Sequence, residues 1–188
     1  MGGSHPILFL VTIKNRNIMA CNQTLSGLVR DCSPSMGGIV EVYAANRDEV
    51  GAITILDDKV SAIETGAKKF KKYAFARNTG SMSSNYQISP ENGTRFVTTD
   101  LVLVFNRMET AKRVEMTALA QNDLVLVVKD ANGKYWLLGK DEPVRATAGD
   151  GLTGTARADR NGYSITLQDN SHEMPYEVDE ALAAGLVA

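Results

Sequence analysis

Histidine and cysteine are scarce in this chain, with two of each among 188 residues. A hydrolase of the Ser-His-Asp or Cys-His kind needs a nucleophile, a base and an orienting group within reach. Here His5 stands near the start and His172 near the end, and no G-x-S-x-G occurs. A thiol nucleophile would have to join Cys21 or Cys32 to His172, and no spacing supports that pairing. His172 therefore reads as a surface loop residue. Two thiols in the first fifth of the chain cannot form the framework of a small secreted domain, so they read as reduced thiols of a cytosol, with one local disulfide as the alternative. No apolar run approaches the roughly 20 residues that a transmembrane helix needs, and no membrane partner is expected. Phosphate loops of the G-x-x-x-x-G-K-[ST] type are missing too. The glycines Gly149, Gly151 and Gly154 read as a flexible turn. Neither sign of charge dominates: 20 basic and 22 acidic residues leave a net charge of −2, which excludes bulk attraction to nucleic acid or an anionic membrane.

The first residues have little that reads as fold. Met1-Gly-Gly-Ser-His-Pro6 looks like an appended or mis-started leader, and Ile7 to Val11 is too short for a signal h-region. Ile18-Met-Ala-Cys21 faintly resembles a lipoprotein cleavage box. Lys14 and Arg16 precede it, where such signals carry no charge, so Met19 is the expected natural start.

What the chain does contain is β-type alternation. Ile39-Val-Glu-Val-Tyr43 and Ala52-Ile-Thr-Ile55 read as strands joined by Asn46-Arg-Asp-Glu49, with Ser61-Ala-Ile63 as a third strand and residues 69–77 as a fourth. Residues 78–93 are rich in Ser, Asn, Gly and Pro without apolar periodicity. They read as a long polar loop at the tip of an extended hairpin, a kind of segment that is usually functional or ordered by a partner. Residues 94–107 form the longest β-type run, and Leu101-Val-Leu-Val-Phe105, apolar on both sides, predicts a strand covered on both faces. The period then changes: residues 109–121 (ETAKRVEMTALAQ) predict one helix, with Asn106 and Asn122 as caps. A buried strand over 123–128 follows. Asn132-Gly133 and Asn161-Gly162, each preceded by an Asp two residues earlier, predict type I′ hairpins. A third Asn-Gly, Asn92-Gly93, ends the polar loop.

Taken together, these patterns predict a mainly β chain, an antiparallel sandwich or barrel with one flanking α-helix. An N-terminal leader or arm covers 1–37, the β domain 38–178 and a C-terminal tail 179–188. No catalytic, cofactor or metal site is expected. The Asp-x-Asn-Gly loops at Asp130 and Asp159 invite a calcium reading, but an EF-hand loop closes on Glu at its twelfth position, and here Asp141 and Asn170 stand there. Tight turns whose side chains bond their own backbone are the simpler account. The basic run Lys68-Lys-Phe-Lys-Lys72 places its lysines on both faces of a strand, as a solvated edge does. Trp136 is assigned to the core and Tyr135 to a wet rim.

Several segments resemble a structural protein family of Bacteroidetes phages and prophages. They are Phe70-Lys-Lys-Tyr-Ala-Phe75, Asn78-Thr-Gly-Ser-Met82, Asn92-Gly-Thr-Arg-Phe-Val97, residues 129–139 (KDANGKYWLLG), Asn161-Gly-Tyr163 and Pro175-Tyr-Glu-Val178. That family is similar in turn to phage tail tube proteins, whose subunits stack as hexameric rings around the DNA channel. The resemblance implies a β-sandwich or barrel with one helix, strands lining a barrel continuous across six subunits, and a long hairpin loop reaching a neighbouring ring. It implies a virion protein assembled in the host bacterial cytoplasm, with other virion tail proteins as partners and DNA only as passing cargo. On this reading the self-assembly residues are Asn78, Thr79, Ser81, Met82, Tyr86, Asn92, Gly93 and Arg95. The competing expectations are another virion part, such as a head–tail connector, tail terminator or decoration protein, and a carbohydrate-binding module with Tyr86 and Tyr135 as its platform. If the lysine cluster faced the lumen, the tube reading would weaken, because attraction to phosphates would stall passing DNA.

Overall fold

A computed structural model describes residues 25–186. The expectations for His5, Cys21, the cleavage-box likeness and the start at Met19 lie outside the described residues. The chain divides into Met1–Pro34 and Ser35–Ala188. In the described part of the first unit, Asp31 accepts hydrogen bonds from the backbone N–H and hydroxyl of Ser33, both at 2.8 Å, and Cys32 is a free, exposed thiol.

In chain order the second unit holds β1 (Ile39–Asn46), a single 3-10 turn (Arg47–Glu49), β2 (Val50–Leu56), β3 (Lys59–Thr65), β4 (Lys71–Tyr73), β5 (Ser81–Ser89) and β6 (Thr94–Asn106). Then come α1 (Thr110–Gln121), β7 (Leu124–Asp130), β8 (Tyr135–Leu138), β9 (Arg145–Leu152), β10 (Gly162–Ser171), β11 (Tyr176–Val178) and α2 (Glu180–Leu186). The strands form a seven-stranded sheet, β2-β3-β11-β8-β7-β1-β4, and a four-stranded sheet, β5-β6-β10-β9. The mainly β fold with a flanking helix is thus as the alternation predicts. Three features differ: β3 and β11 pair in parallel, a second helix is present, and the expected C-terminal tail contains it.

β7 explains why both sheets cohere. Leu124 to Val128 are all buried, and successive side chains point to opposite faces. Leu124, Leu126 and Val128 meet Leu101, Leu103, Ile165 and Leu167 of the four-stranded sheet, with Leu119 of α1 at the same core. Val125 and Val127 face the other way, into a second core with Tyr43, Val60, Phe70, Tyr135 and Leu137. Ala183 and Leu186 of α2 belong to that second core, so α2 has a packing reason to exist. Asp179 caps it, its carboxylate accepting from the Ala181 N–H at 2.9 Å, as helix N-termini require. The α2 end is held as well: the Phe70 N–H donates to the Leu186 carbonyl at 3.0 Å.

Burial corrects four sequence readings. Tyr135 is buried and Trp136 only half-buried, because the Trp136 indole N–H reaches out to Asp130 at 3.1 Å. Over Leu101 to Phe105 only the face carrying Leu101 and Leu103 is fully buried; the sandwich covers one side of that strand. The segment 69–77 shrinks to the three-residue β4, which pairs with β1 only over Val42 to Ala44. Helix α1 starts at Glu109 as its N-cap rather than Asn106, and Asn122 ends it in extended conformation.

The turns differ for backbone reasons. At the β7–β8 hairpin only Gly133 has positive φ, at +84°, and its N–H donates to the Asp130 carbonyl at 3.2 Å while the Asp130 N–H donates to Lys134. That is a type I turn closed by a glycine bulge, not type I′. Gly162 is not in a turn at all. It opens β10 against Asn106, where a side chain would strike the Phe105 carbonyl oxygen at 2.0 Å. A two-residue type I′ geometry does occur at Asp57-Asp58, both with positive φ, between β2 and β3.

Candidate assembly interface

The segment read as a long polar loop is mostly strand. Ser81 to Ser89 pair residue by residue with Val102 to Thr94, without a register shift, and the true loop is Pro90 to Gly93, closed by the Gly93 N–H donating to Pro90 at 3.3 Å. A polar strand is stable here because β6 satisfies its backbone on one side and little of it needs burial. Met82 packs on the first core, and the Ser84 and Thr99 hydroxyls bond each other at 2.7 Å, which satisfies the fully buried Thr99.

Of the predicted assembly residues, Ser81, Met82 and Tyr86 lie on β5, Asn92 and Gly93 in the turn, and Arg95 on β6. Asn78 and Thr79 belong to a separate turn before β5. Asn78 has φ of +63°, and the Thr79 hydroxyl donates to the Ala76 carbonyl at 2.6 Å. The structure therefore joins six of these residues in one long hairpin and leaves Asn78 and Thr79 at its root. Ile88 and Phe96 were not anticipated. Together with Tyr86 they are 63%, 40% and 50% exposed, so the hairpin end carries three large unburied apolar side chains.

Both edges of the four-stranded sheet are strands of eight or nine residues. Edge strands are normally blunted by charge, proline or a bulge. β5 (SMSSNYQIS) has none of these. At the other edge, β9 (RATAGDGL) is exposed along most of its length and includes Gly149 and Gly151, which sequence reading placed in a turn. Its signal was the alternation Ala146, Ala148, Asp150 opposite small residues, too weakly apolar to register as a strand.

The face of this sheet turned away from the core mixes Ser, Thr, Asn and Gln with the carboxylates of Asp100 and Asp150, Arg145, and the apolar Phe96, Val102 and Val104. Cross-strand bonds organise it: Thr98 donates to Asn170 at 3.2 Å, and Gln168 donates to Asp100 at 2.9 Å. No strand of the sheet contains lysine. The cluster 68–72 belongs to the other sheet's edge, where Lys68 pairs with Glu49 and Lys72 with Glu41, both at 2.5 Å. The Lys72 hydrogen bond, followed by that of Tyr43, holds the Glu41 carboxyl below its ordinary range.

Comparison with family models, curated proteins and solved structures yields no match. The chemistry has to be read from this chain's own geometry. Asp130 accepts from the Asn132 and Lys134 N–H groups, and Asp159 from those of Thr155 and Ala156, so both carboxylates are spent on their own turns. The His172 N–H donates to Asp141 at 3.0 Å. Tyr86 and Tyr135 lie in different sheets, and Tyr135 is buried, so they do not form a shared platform.

One buried carboxyl gives a measurable signature of the sheet's integrity. Asp169, on the core side of β10, accepts from the Gly139 N–H at 3.1 Å, and burial, reinforced by the nearby Asp141 and Glu142 carboxylates, raises it from 3.8 to about 6. The folded state therefore binds this proton more tightly than the unfolded chain. Its stabilisation is full below pH 3.8 and is lost as pH rises through about 6, a change of about 3 kcal/mol. Denaturant melts across pH 4 to 7 should show stability from this group falling as pH rises. Asp169→Asn, which keeps the acceptor for Gly139, should flatten that decline; an unchanged slope would assign it elsewhere.

Proposed function

We propose that this chain is a bacteriophage tail tube subunit whose copies close into a ring by pairing β5 of one with β9 of the next. The observation that carries this reading is the polarity of an even-stranded open sheet. β5, β6, β10 and β9 alternate in direction at every junction. Around an axis roughly parallel to the strands, β9 of one copy thus meets β5 of its neighbour antiparallel, and the alternation continues unbroken. Such a contact is heterologous, and rotation by a fixed angle closes it into a ring.

Six copies, the number implied by the resemblance, would give six times four, or 24, strands. At about 4.8 Å per strand and a tilt near 40°, the barrel would be about 48 Å across between backbones, leaving an opening of about 40 Å once side chains line it. The lining would be the face that bears Ser83, Asn85, Thr98, Thr166 and Gln168 together with Asp100 and Asp150. It lacks lysine, and its one arginine, Arg145, is paired with Asp123, which suits DNA as passing cargo because little there attracts phosphates. The lysine cluster, on the other sheet, does not weigh against this reading. A virion location, assembly in the host cytoplasm, partnership with other tail proteins and the lack of a catalytic role belong to the same proposal.

Negative-stain microscopy and sedimentation of the purified chain test it. Rings of constant diameter with a central opening near 40 Å, alone or stacked, are the expected result. Particles that stay monomeric at high concentration would contradict it, and closed rings that never stack would favour a terminator or connector.

A further inference from the structure

A glycine on the open β9 edge has no reason, within a single copy, to be one. Gly149 lies inside β9 opposite Ile165, and its φ is outside the left-handed region that favours glycine. A Cβ there would meet only the Ser164 carbonyl oxygen, at 3.4 Å, an ordinary contact. Glycine weakens a strand interior and often marks a place where another chain approaches closely. The space beside it is a groove of about 540 Å³ between α1 and the core side of β9. Met116 and Ala120 of α1 form one wall, Ala146 and Gly149 the other, and Tyr163 and Ile165 of β10 line it as well. The opposite edge of the sheet has the converse feature. Tyr86 pairs with the buried Val97 and Ile88 with Arg95, so both point to the core side. Half or more of each side chain nevertheless stays exposed.

Resting on the edge pairing proposed above, we propose that the groove under α1 takes the Tyr86 and Ile88 side chains of a second copy, the neighbour in the same ring. The levels of the two edges fit. Through their shared partners, Arg145 to Leu152 stand level with Asp100 to Asn106, and Ser81 to Ser89 with Val102 to Thr94. The midpoints of β9 and β5 are thus level with Leu103 and Thr98, five residues apart. Four strands at about 4.8 Å and a tilt near 40° advance one copy along the strand by about 16 Å, again about five residues. Side chains alternate, so only an even step keeps the core faces together. A step of six seats Tyr86 beside Gly149 and Ile88 beside Ala146, large against small at both positions. Arg113 and Gln121, which also line the groove, offer donors to the Tyr86 hydroxyl. A slip of two residues would carry Ile88 past the end of β9. The backbone edges therefore supply the pairing, and the groove sets its register.

Gly149→Leu tests the fit, because it fills the groove from within the same copy and leaves the β9 backbone its pairing groups. The variant should melt no lower than the unaltered chain, yet sedimentation should show no rings at concentrations where the unaltered chain forms them. Adding Tyr86→Ala to the same chain vacates the space that the leucine takes and should restore rings. Tyr86→Ala alone, at a half-exposed position with little packing to lose, should weaken each junction about thirtyfold and raise the concentration needed for rings at least as much. Ala148→Leu is the control, because it adds the same bulk to β9 on the face turned away from the core, opposite Thr166, and should leave rings intact. Rings formed equally well by Gly149→Leu and Tyr86→Ala would overturn the groove contact and leave edge pairing in place. Rings lost alike in Gly149→Leu and Ala148→Leu, and not restored by Tyr86→Ala, would also overturn it. Failure of the unaltered chain to form rings would strike the edge-pairing reading itself, and this contact with it.

Discussion

Ser83→Lys combined with Asn85→Lys should abolish ring formation and leave a folded monomer. Both side chains are exposed on β5, and both lie on the face turned away from the core, opposite Asp100 and Thr98. Neither has a packing role to lose, so the melting temperature should change by no more than about 2 °C. Association should change far more. Alternate residues of a nine-residue strand direct roughly four N–H groups and four carbonyls outward. At about 1 kcal/mol net per bond, a junction is held by several kcal/mol, and its loss weakens pairing at least about a thousandfold. Lysine at an edge deters pairing through charge and solvation. Thr166→Lys is the control, because it adds a lysine to the same face on β10, a strand already paired on both sides. Rings that survive Thr166→Lys but not the β5 pair assign the effect to the edge. Rings unaffected by the β5 lysines would remove that strand from the interface.

A second large effect is expected inside the fold. A Cβ at Gly162 would lie 2.0 Å from the Phe105 carbonyl oxygen and 3.0 Å from its carbon. Both are backbone atoms of the longest strand and cannot swing aside as a side chain could. Gly162→Ala should therefore destabilise by roughly 4 kcal/mol or more, among the largest single-substitution effects, lowering the melting temperature by about 10 °C in a chain of this size. Gly133→Ala, at an exposed turn with nothing near its Cβ, is the milder comparison at about 1 kcal/mol, the cost of its positive φ. Equal costs at the two positions would contradict the close approach at β10.

The class of the fold was legible because alternation of Val, Ile, Leu and Thr is enforced by burial, as in β6 and β7. What escaped had weaker enforcement. β5 alternates Met82, Ser84, Tyr86 and Ile88 on one side, but an edge strand can be polar, and its Ser and Asn content reads as loop. β9 escaped for the same reason, with small residues where a core strand would have large ones. Helix α2 is only seven residues long; its signal, Asp179 before a run of helix formers, was present but too short to carry a 3.6-residue period. The parallel pairing of β11 with β3 joins segments more than 100 residues apart, which local pattern does not encode. The segment read as a polar assembly loop is a paired strand instead, and that difference matters. Removing residues 81–91 would cut out a paired strand rather than trim a loop.

The claim on which the rest depends is that β5 of one copy lies beside β9 of the next. Electron cryomicroscopy of the assembled protein, at a resolution that separates strands, tests it most directly. The expected map shows a closed sheet with four strands per copy, β5 antiparallel to the neighbour's β9, and the face bearing Thr98, Asp100 and Gln168 turned to the lumen. A ring in which β5 and β9 both remain open to solvent would contradict it.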